Sequence, residues 1–239
     1  MKNKKSTLIF IFILGLIAYT IGLQYNEFIK IDVRFALFVS EIGQYGLGLF
    51  PTLNGSPYTD YTSIPIYLMY LTSLKAMHIN MLTMVLPSAV ATALTLVFTY
   101  LIGLSVSKKN AIYSVCMCFF AYTFLSTARD IALDMYVCLA TTVSFYLVYT
   151  STLDKKRLRL IFIPLCFIFG FAMRGPVWIV VPSAVVFAFY FVNKKWKYCV
   201  MFAIVSVVLS ILCMSTLLYL CYLTGGIDLL KLFLQNQIF

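Results

Sequence analysis

Charge is what this chain lacks most. Only 11% of its 239 residues are Asp, Glu, Lys or Arg, where soluble domains carry roughly a quarter. A water-facing surface of ordinary size cannot be built from so few charges. With 62% hydrophobic side chains and a mean hydropathy of +0.96, disorder and coiled coil are excluded as well. Acids are scarcer than bases, eight against eighteen, giving a net charge of +10. In a soluble protein that balance would point to nucleic acid; in so apolar a chain it reports cytoplasmic loops, and no nucleic-acid partner is expected. The seven cysteines, Cys116, Cys118, Cys138, Cys166, Cys199, Cys213 and Cys221, contain no CxxC pair, and His78 is the one histidine. Neither a disulfide framework nor a zinc site is therefore indicated, and buried packing thiols are expected. GxSxG, HExxH and Walker patterns are missing, and no internal repeat marks a solenoid. What remains is an all-α, polytopic membrane protein, a single membrane domain over residues 1–239.

What is present is a series of apolar runs. The first, about 7–23, follows Met1-Lys-Asn-Lys-Lys5 and has no small-x-small cleavage site after it, so it reads as an uncleaved anchor. Further runs lie near 64–77, 82–105, 111–127, 132–151, 158–173, 177–192 and 198–223. The basic clusters decide which of them cross. Lys2/Lys4/Lys5, Lys108/Lys109, Lys155/Lys156/Arg157/Arg159 and Lys194/Lys195/Lys197 hold twelve of the eighteen basic residues. If the 64–77 run stays out of the bilayer, all four clusters fall on the cytoplasmic side; if it spans, three of them move outside. At 14 residues it is also too short to cross upright. The reading is seven transmembrane helices in a multi-pass plasma (inner) membrane protein with a cytoplasmic N-terminus. Juxtamembrane helices lie in a first outer loop of about 24–81, and a C-terminal outer segment occupies 224–239. The spans read as clean between their ends.

Seven acids, Glu27, Asp32, Glu41, Asp60, Asp130, Asp134 and Asp228, then share the non-cytoplasmic side, with Asp154 alone opposite. The positive-inside rule does not require this, since acids contribute little to topology. In the first loop, apolar residues at 35, 38, 39 and 42 have helical spacing, with Asp32 at the start. Asp32 there either caps the helix or does chemistry. Asn54-Gly55 and neighbouring prolines mark a tight loop that sets Asp60 between Tyr58 and Tyr61. Asp60 would either bind a metal or cap the next helix. Arg129, Asp130 and Asp134 begin the fourth span; if helical, the two acids share one face at i,i+4 and need a cation. Arg34, Arg129 and Arg174 are available, in a structural ion pair or a functional one, and Pro176 can open the sixth span at its first turn.

The succession Asp32-x-Arg34, then Phe50-Pro-Thr-Leu-Asn-Gly-x-Pro-Tyr58 followed by an acid, then Leu86-Pro-Ser-Ala89, Arg129…Leu133-Asp-Met135 and Arg174-Gly-Pro176, resembles the membrane glycosyltransferases of the GT-C class. The likeness, over about 25–195, is to the branch holding aminoarabinose lipid A transferases and protein O-mannosyltransferase-like proteins. The resemblance implies inverting transfer of a sugar from a polyprenyl-phosphate donor to a glycolipid or protein acceptor, on the periplasmic or extracytoplasmic face. It implies an active-site acid at Asp32, a divalent metal near Asp60 and a donor-phosphate contact at Arg174. Two departures stand out: Ile31-Asp32 holds one acid where the family often has an Asp-Glu pair, and Tyr61 replaces a lysine. Relatives also run on through more spans, so a truncated, split or decayed enzyme is expected, with 229–239 the start of a further outer helix.

Chemically, such transfer needs a base, a charge that stabilises the departing phosphate, and a groove for the lipid. The expected roles are Asp32 as base, Arg34, Arg129 and Arg174 on the phosphate, Asp134 holding the arginines in place as part of the catalytic set, and Asp60 on a metal. The alternatives are an inactive fragment or accessory subunit that binds polyprenyl lipid, and a carrier of polar lipids, which would show broken or charged mid-helices.

Overall fold

The structure, a computed structural model, describes the backbone of residues 2–29 and 31–238; the side chains of 2, 3, 31, 176, 177 and 236–238 lie outside the described residues. It is all-α apart from one small hairpin. The helices are α1 (Lys2–Thr20), α2 (Ile31–Tyr45), α3 (Ser63–Thr72), α4 (Met81–Leu104), α5 (Lys108–Phe120), α6 (Tyr122–Ala128), α7 (Asp134–Asp154), α8 (Ile163–Arg174), α9 (Val180–Val192) and α10 (Trp196–Ile238). Short 3-10 helices at Arg157–Phe162 and Pro176–Ile179 lead into α8 and α9, so Pro176 opens a 3-10 turn rather than the α-helix itself.

Four helices, α1, α4, α7 and α10, are long and apolar enough to cross a membrane, and mark the chain as membrane-embedded. Their burial is unequal. In α4 most of the apolar stretch is covered by α1, α3, α5 and α7, whereas α10 leaves Ile204, Val207, Ile211 and Leu212 bare, as lipid-facing positions require. The 111–127 run is not clean. It breaks at Ala121, where α5 and α6 diverge by 66° and would form a fifth span together. No proline or glycine stands at the break; the fully buried ring of Tyr19 lies against Phe119 on one side of it and Phe124 on the other. The runs at 158–173 and 177–192 yield only short α-helices, α8 and α9, each extended by its 3-10 turn. Cysteine expectations also need correcting: all seven are free, but only Cys199 and Cys221 are buried, and Cys116 is exposed.

The 64–77 run is helical only over Ser63–Thr72. Leu74, Lys75 and Ala76 all adopt left-handed φ, which ends the helix and turns the chain into α4. α3 packs against α2 and α4, and α2 buries Phe35, Phe38, Val39 and Ile42, the face its spacing marked. Asn54 (φ 54°) and Gly55 (φ 76°) form the two-residue turn of a hairpin pairing Thr52 with Pro57 and Leu53 with Ser56. α10 breaks at Gly226 (φ 63°), and Phe233 beyond the break stacks on Phe50 of the hairpin approach, 5.6 Å between centroids. The expected outer segment 224–239 is thus helical to Ile238, with Phe239 outside the described residues.

Candidate functional site

The site lies where α2, the hairpin and α3 meet the start of α7 and the end of α8. Glu41 shapes the loop. Its carboxylate is 4% exposed and accepts the amides of Asn54 (2.6 Å) and Gly55 (3.1 Å). Burial works against its charge, but the Thr52 hydroxyl and these amides outweigh it and hold Glu41 below the ordinary carboxylate value. The turn is thereby fixed to α2. The Thr62 hydroxyl donates to the Ala172 carbonyl at 2.7 Å, tying the loop's far end to α8.

Three clusters follow from that framework. In the first, Asp32 in the opening turn of α2 faces Asp130. Burial, then the charge of Asp130 and a carboxyl–carboxyl hydrogen bond with it, raise Asp32 to about 6, against one opposing backbone contact from Ile29. The expected pairing of Asp130 with Asp134 on one helical face does not occur, because α7 begins at Asp134 and residues 129–133 form turns before it. Asp130 instead takes its neighbour Ile131's amide at 2.8 Å and turns toward Asp32.

In the second cluster, Arg34 Nη1 donates to the Tyr58 hydroxyl at 2.8 Å and lies over its ring. Burial and a hydrogen bond to Asp60 raise Tyr58 above its usual value, so the phenol donates onward to that carboxylate. In the third, Arg174 Nε donates to Asp134 Oδ1 at 3.0 Å, and its guanidinium lies over Tyr61 at 5.3 Å and Trp178 at 5.5 Å. Gly175 makes the last contact possible. Its φ of 99° with ψ of −170° suits glycine alone, and it swings the following 3-10 turn so that Trp178 folds back over Arg174. Tyr58 stacks on Tyr61, which also meets Phe35, so aromatic rings join the second and third clusters to α2.

Arg129 stands apart. Its two terminal nitrogens donate to the carbonyls of Ala18 (2.8 Å) and Ile21 (2.9 Å), closing the end of α1. Those donors are engaged by main-chain carbonyls, and Arg129 makes no ion pair among the described residues. Asp60 is exposed with Tyr58 as its partner, and among the described residues no group of three His, Cys, Asp or Glu side chains is placed to hold a metal ion. Asp60 offers one carboxylate, fewer donors than a cage built from protein alone needs.

An apolar groove of about 380 Å³ is bounded by Thr62 and Ser63, by Phe171 and Ala172 of α8, and by Leu212 and Leu217 of α10. This end of the molecule thus holds a carboxyl raised by burial, a guanidinium over two aromatic rings and an apolar groove. Sequence spacing missed Asp130 as the partner of Asp32, Glu41 as the loop's anchor and Trp178 over Arg174. Trp178 alone left a signal, standing four residues past Arg174. No family model, curated protein or solved structure matches this chain.

Proposed function

We propose that this end of the molecule transfers a sugar from a polyprenyl-phosphate donor to a hydroxyl of a lipid or protein acceptor, at the membrane face away from the cytoplasm. The observation that carries the reading is Arg174, paired with Asp134 and lying over Tyr61 and Trp178 at the end of α8, the helix whose Phe171 and Ala172 line an apolar groove. The groove takes the first isoprene units and Arg174, with Arg34, faces the phosphate. Asp32 as carboxylate accepts the acceptor's proton as its oxygen attacks the anomeric carbon. The bond from that carbon to the phosphate oxygen breaks with inversion, and the departing charge is stabilised by the guanidinium groups. Arg129 falls outside this set, and no step passes through a metal.

The reading takes seven crossings. With their 3-10 turns, the chain stretches ending in α8 and α9 have contour lengths of about 30 and 28 Å, close to a hydrocarbon thickness. The basic clusters then lie on the cytoplasmic side.

The test is transfer of a labelled sugar from polyprenyl phosphate by the chain in vesicles. Asp32→Asn is expected to lower turnover by about 10²–10⁴-fold with donor binding kept. Because Asp32 must be ionised to act, kcat/KM of the unaltered chain rises with pH through about 6. Asp130→Asn moves that limb lower, though not to an ordinary carboxylate value, since burial is the larger cause. Full turnover in Asp32→Asn overturns the base role. Donor binding without transfer at any pH favours the accessory, lipid-binding alternative, which shares the groove.

A further inference from the structure

At the opposite end of α7 lies a second cavity of about 660 Å³ that the proposed transfer does not use. Two connectors some forty residues apart in sequence supply it. Lys155 and Arg157 come from the link between α7 and α8, Lys194 and Lys195 from the link between α9 and α10, and Lys197 from the first turn of α10. Both connectors turn through a left-handed lysine, Lys155 at φ 55° and Lys194 at φ 53°. The second is fixed to the end of α9 by the Lys194 and Lys195 amides, which donate to the carbonyls of Phe191 and Tyr190. The floor is aromatic: Tyr190, 2% exposed, stacks on Tyr198 at 5.1 Å, and Trp196 stands at the rim.

Five cations share this space with little to neutralise them. Asp154, the one acid at this end, is taken by Arg159 at 2.7 Å, and among the described residues none of the five makes an ion pair. The C-termini of α7 and α9 bring about half a negative charge each and the N-terminus of α10 about half a positive one, which leaves an excess of more than about four. The positive-inside rule accounts for basic residues in these links, but not for their convergence on one cavity over a tyrosine stack.

We infer that this cavity binds the phosphate headgroup of an anionic lipid, its acyl chains running down the apolar helices. The aromatic floor at the end of apolar helices is where a headgroup lies, and it favours a lipid over a free anion. The inference is independent of the sugar-transfer reading.

The experiment uses the full chain with Trp178→Phe, so that Trp196 alone fluoresces, in vesicles of phosphatidylcholine containing brominated phosphatidylglycerol or, as reference, brominated phosphatidylcholine. Preferential quenching by phosphatidylglycerol is expected. Lys155→Asn and Lys194→Asn keep a residue tolerated at left-handed φ while removing charge, and each is expected to lower the preference about fivefold. The paired control Lys108→Asn with Lys109→Asn, outside the cavity, changes it less than about twofold. Equal quenching by the two lipids overturns the inference, as does a control as damaging as the cavity variants. Loss of the preference on adding inorganic phosphate, but not chloride of equal ionic strength, would assign the cavity to a free anion and overturn the lipid source.

Discussion

At the Asp134 end of α7 the site's own charged groups have specific partners, whereas at the Asp154 end five cations surround one cavity and the local acid is already engaged. Some 30 Å of one helix separates the two. The acid-bearing end is self-contained: Arg174 on Asp134, Arg34 on Tyr58 and Tyr58 on Asp60, with aromatic rings between. The basic end is electrostatically unfinished. Substitutions at the first should therefore disturb geometry and chemistry, and those at the second should disturb what the protein holds from its surroundings.

The largest expected effect tests the first half of that contrast. Arg174→Ala should lower sugar transfer by about 10²–10³-fold. Arg174→Lys should restore little, because an ammonium lacks both the planar face that lies over Tyr61 and Trp178 and the Nε–H that donates to Asp134. Arg159→Ala at the other end should leave the rate unchanged, and equal losses would erase the distinction. Next comes Glu41→Ala, expected to cost about 1–3 kcal/mol by stripping the hairpin turn of its acceptor. Thermal unfolding and the rate of proteolysis near Asn54 report it. Smallest is Asp154→Asn. Its pair with Arg159 is partly exposed, 48% and 30%, so under about 1 kcal/mol is expected, shrinking further in salt. A larger loss by thermal unfolding would mean the basic end is also built on internal pairing.

Periodicity and propensity made the local elements legible. The apolar face of α2, the limits of α4 and the Asn54-Gly55 turn all follow from spacing within a few residues. What escaped depends on contacts across the chain. Asp130 and Asp134 look like helical neighbours because the apolar pattern runs up to Ile131, yet α7 starts three residues later and sends the two acids to different partners. Arg129 read as a free cation near acids, but the open carbonyls of α1, 108 and 111 residues away, claim it. The bend at Ala121 was invisible because its wedge, Tyr19, belongs to another helix. The Thr62–Ala172 bond, 110 residues apart, had no local signature either.

The first loop carries two acids that answer a falling pH in opposite ways. Asp32 sits above its unfolded value, so its neutral form suits the fold and acidification through about 6 relieves the crowding with Asp130. Glu41 sits below its own, so the stability it lends persists under mild acid and is lost only at lower pH, as it too takes up a proton. An interval therefore exists in which the carboxyl proposed as the base is protonated while Glu41 still holds the turn. If Asp32 is the base we propose, acid acts first as a reversible brake on transfer and only afterwards as a denaturant.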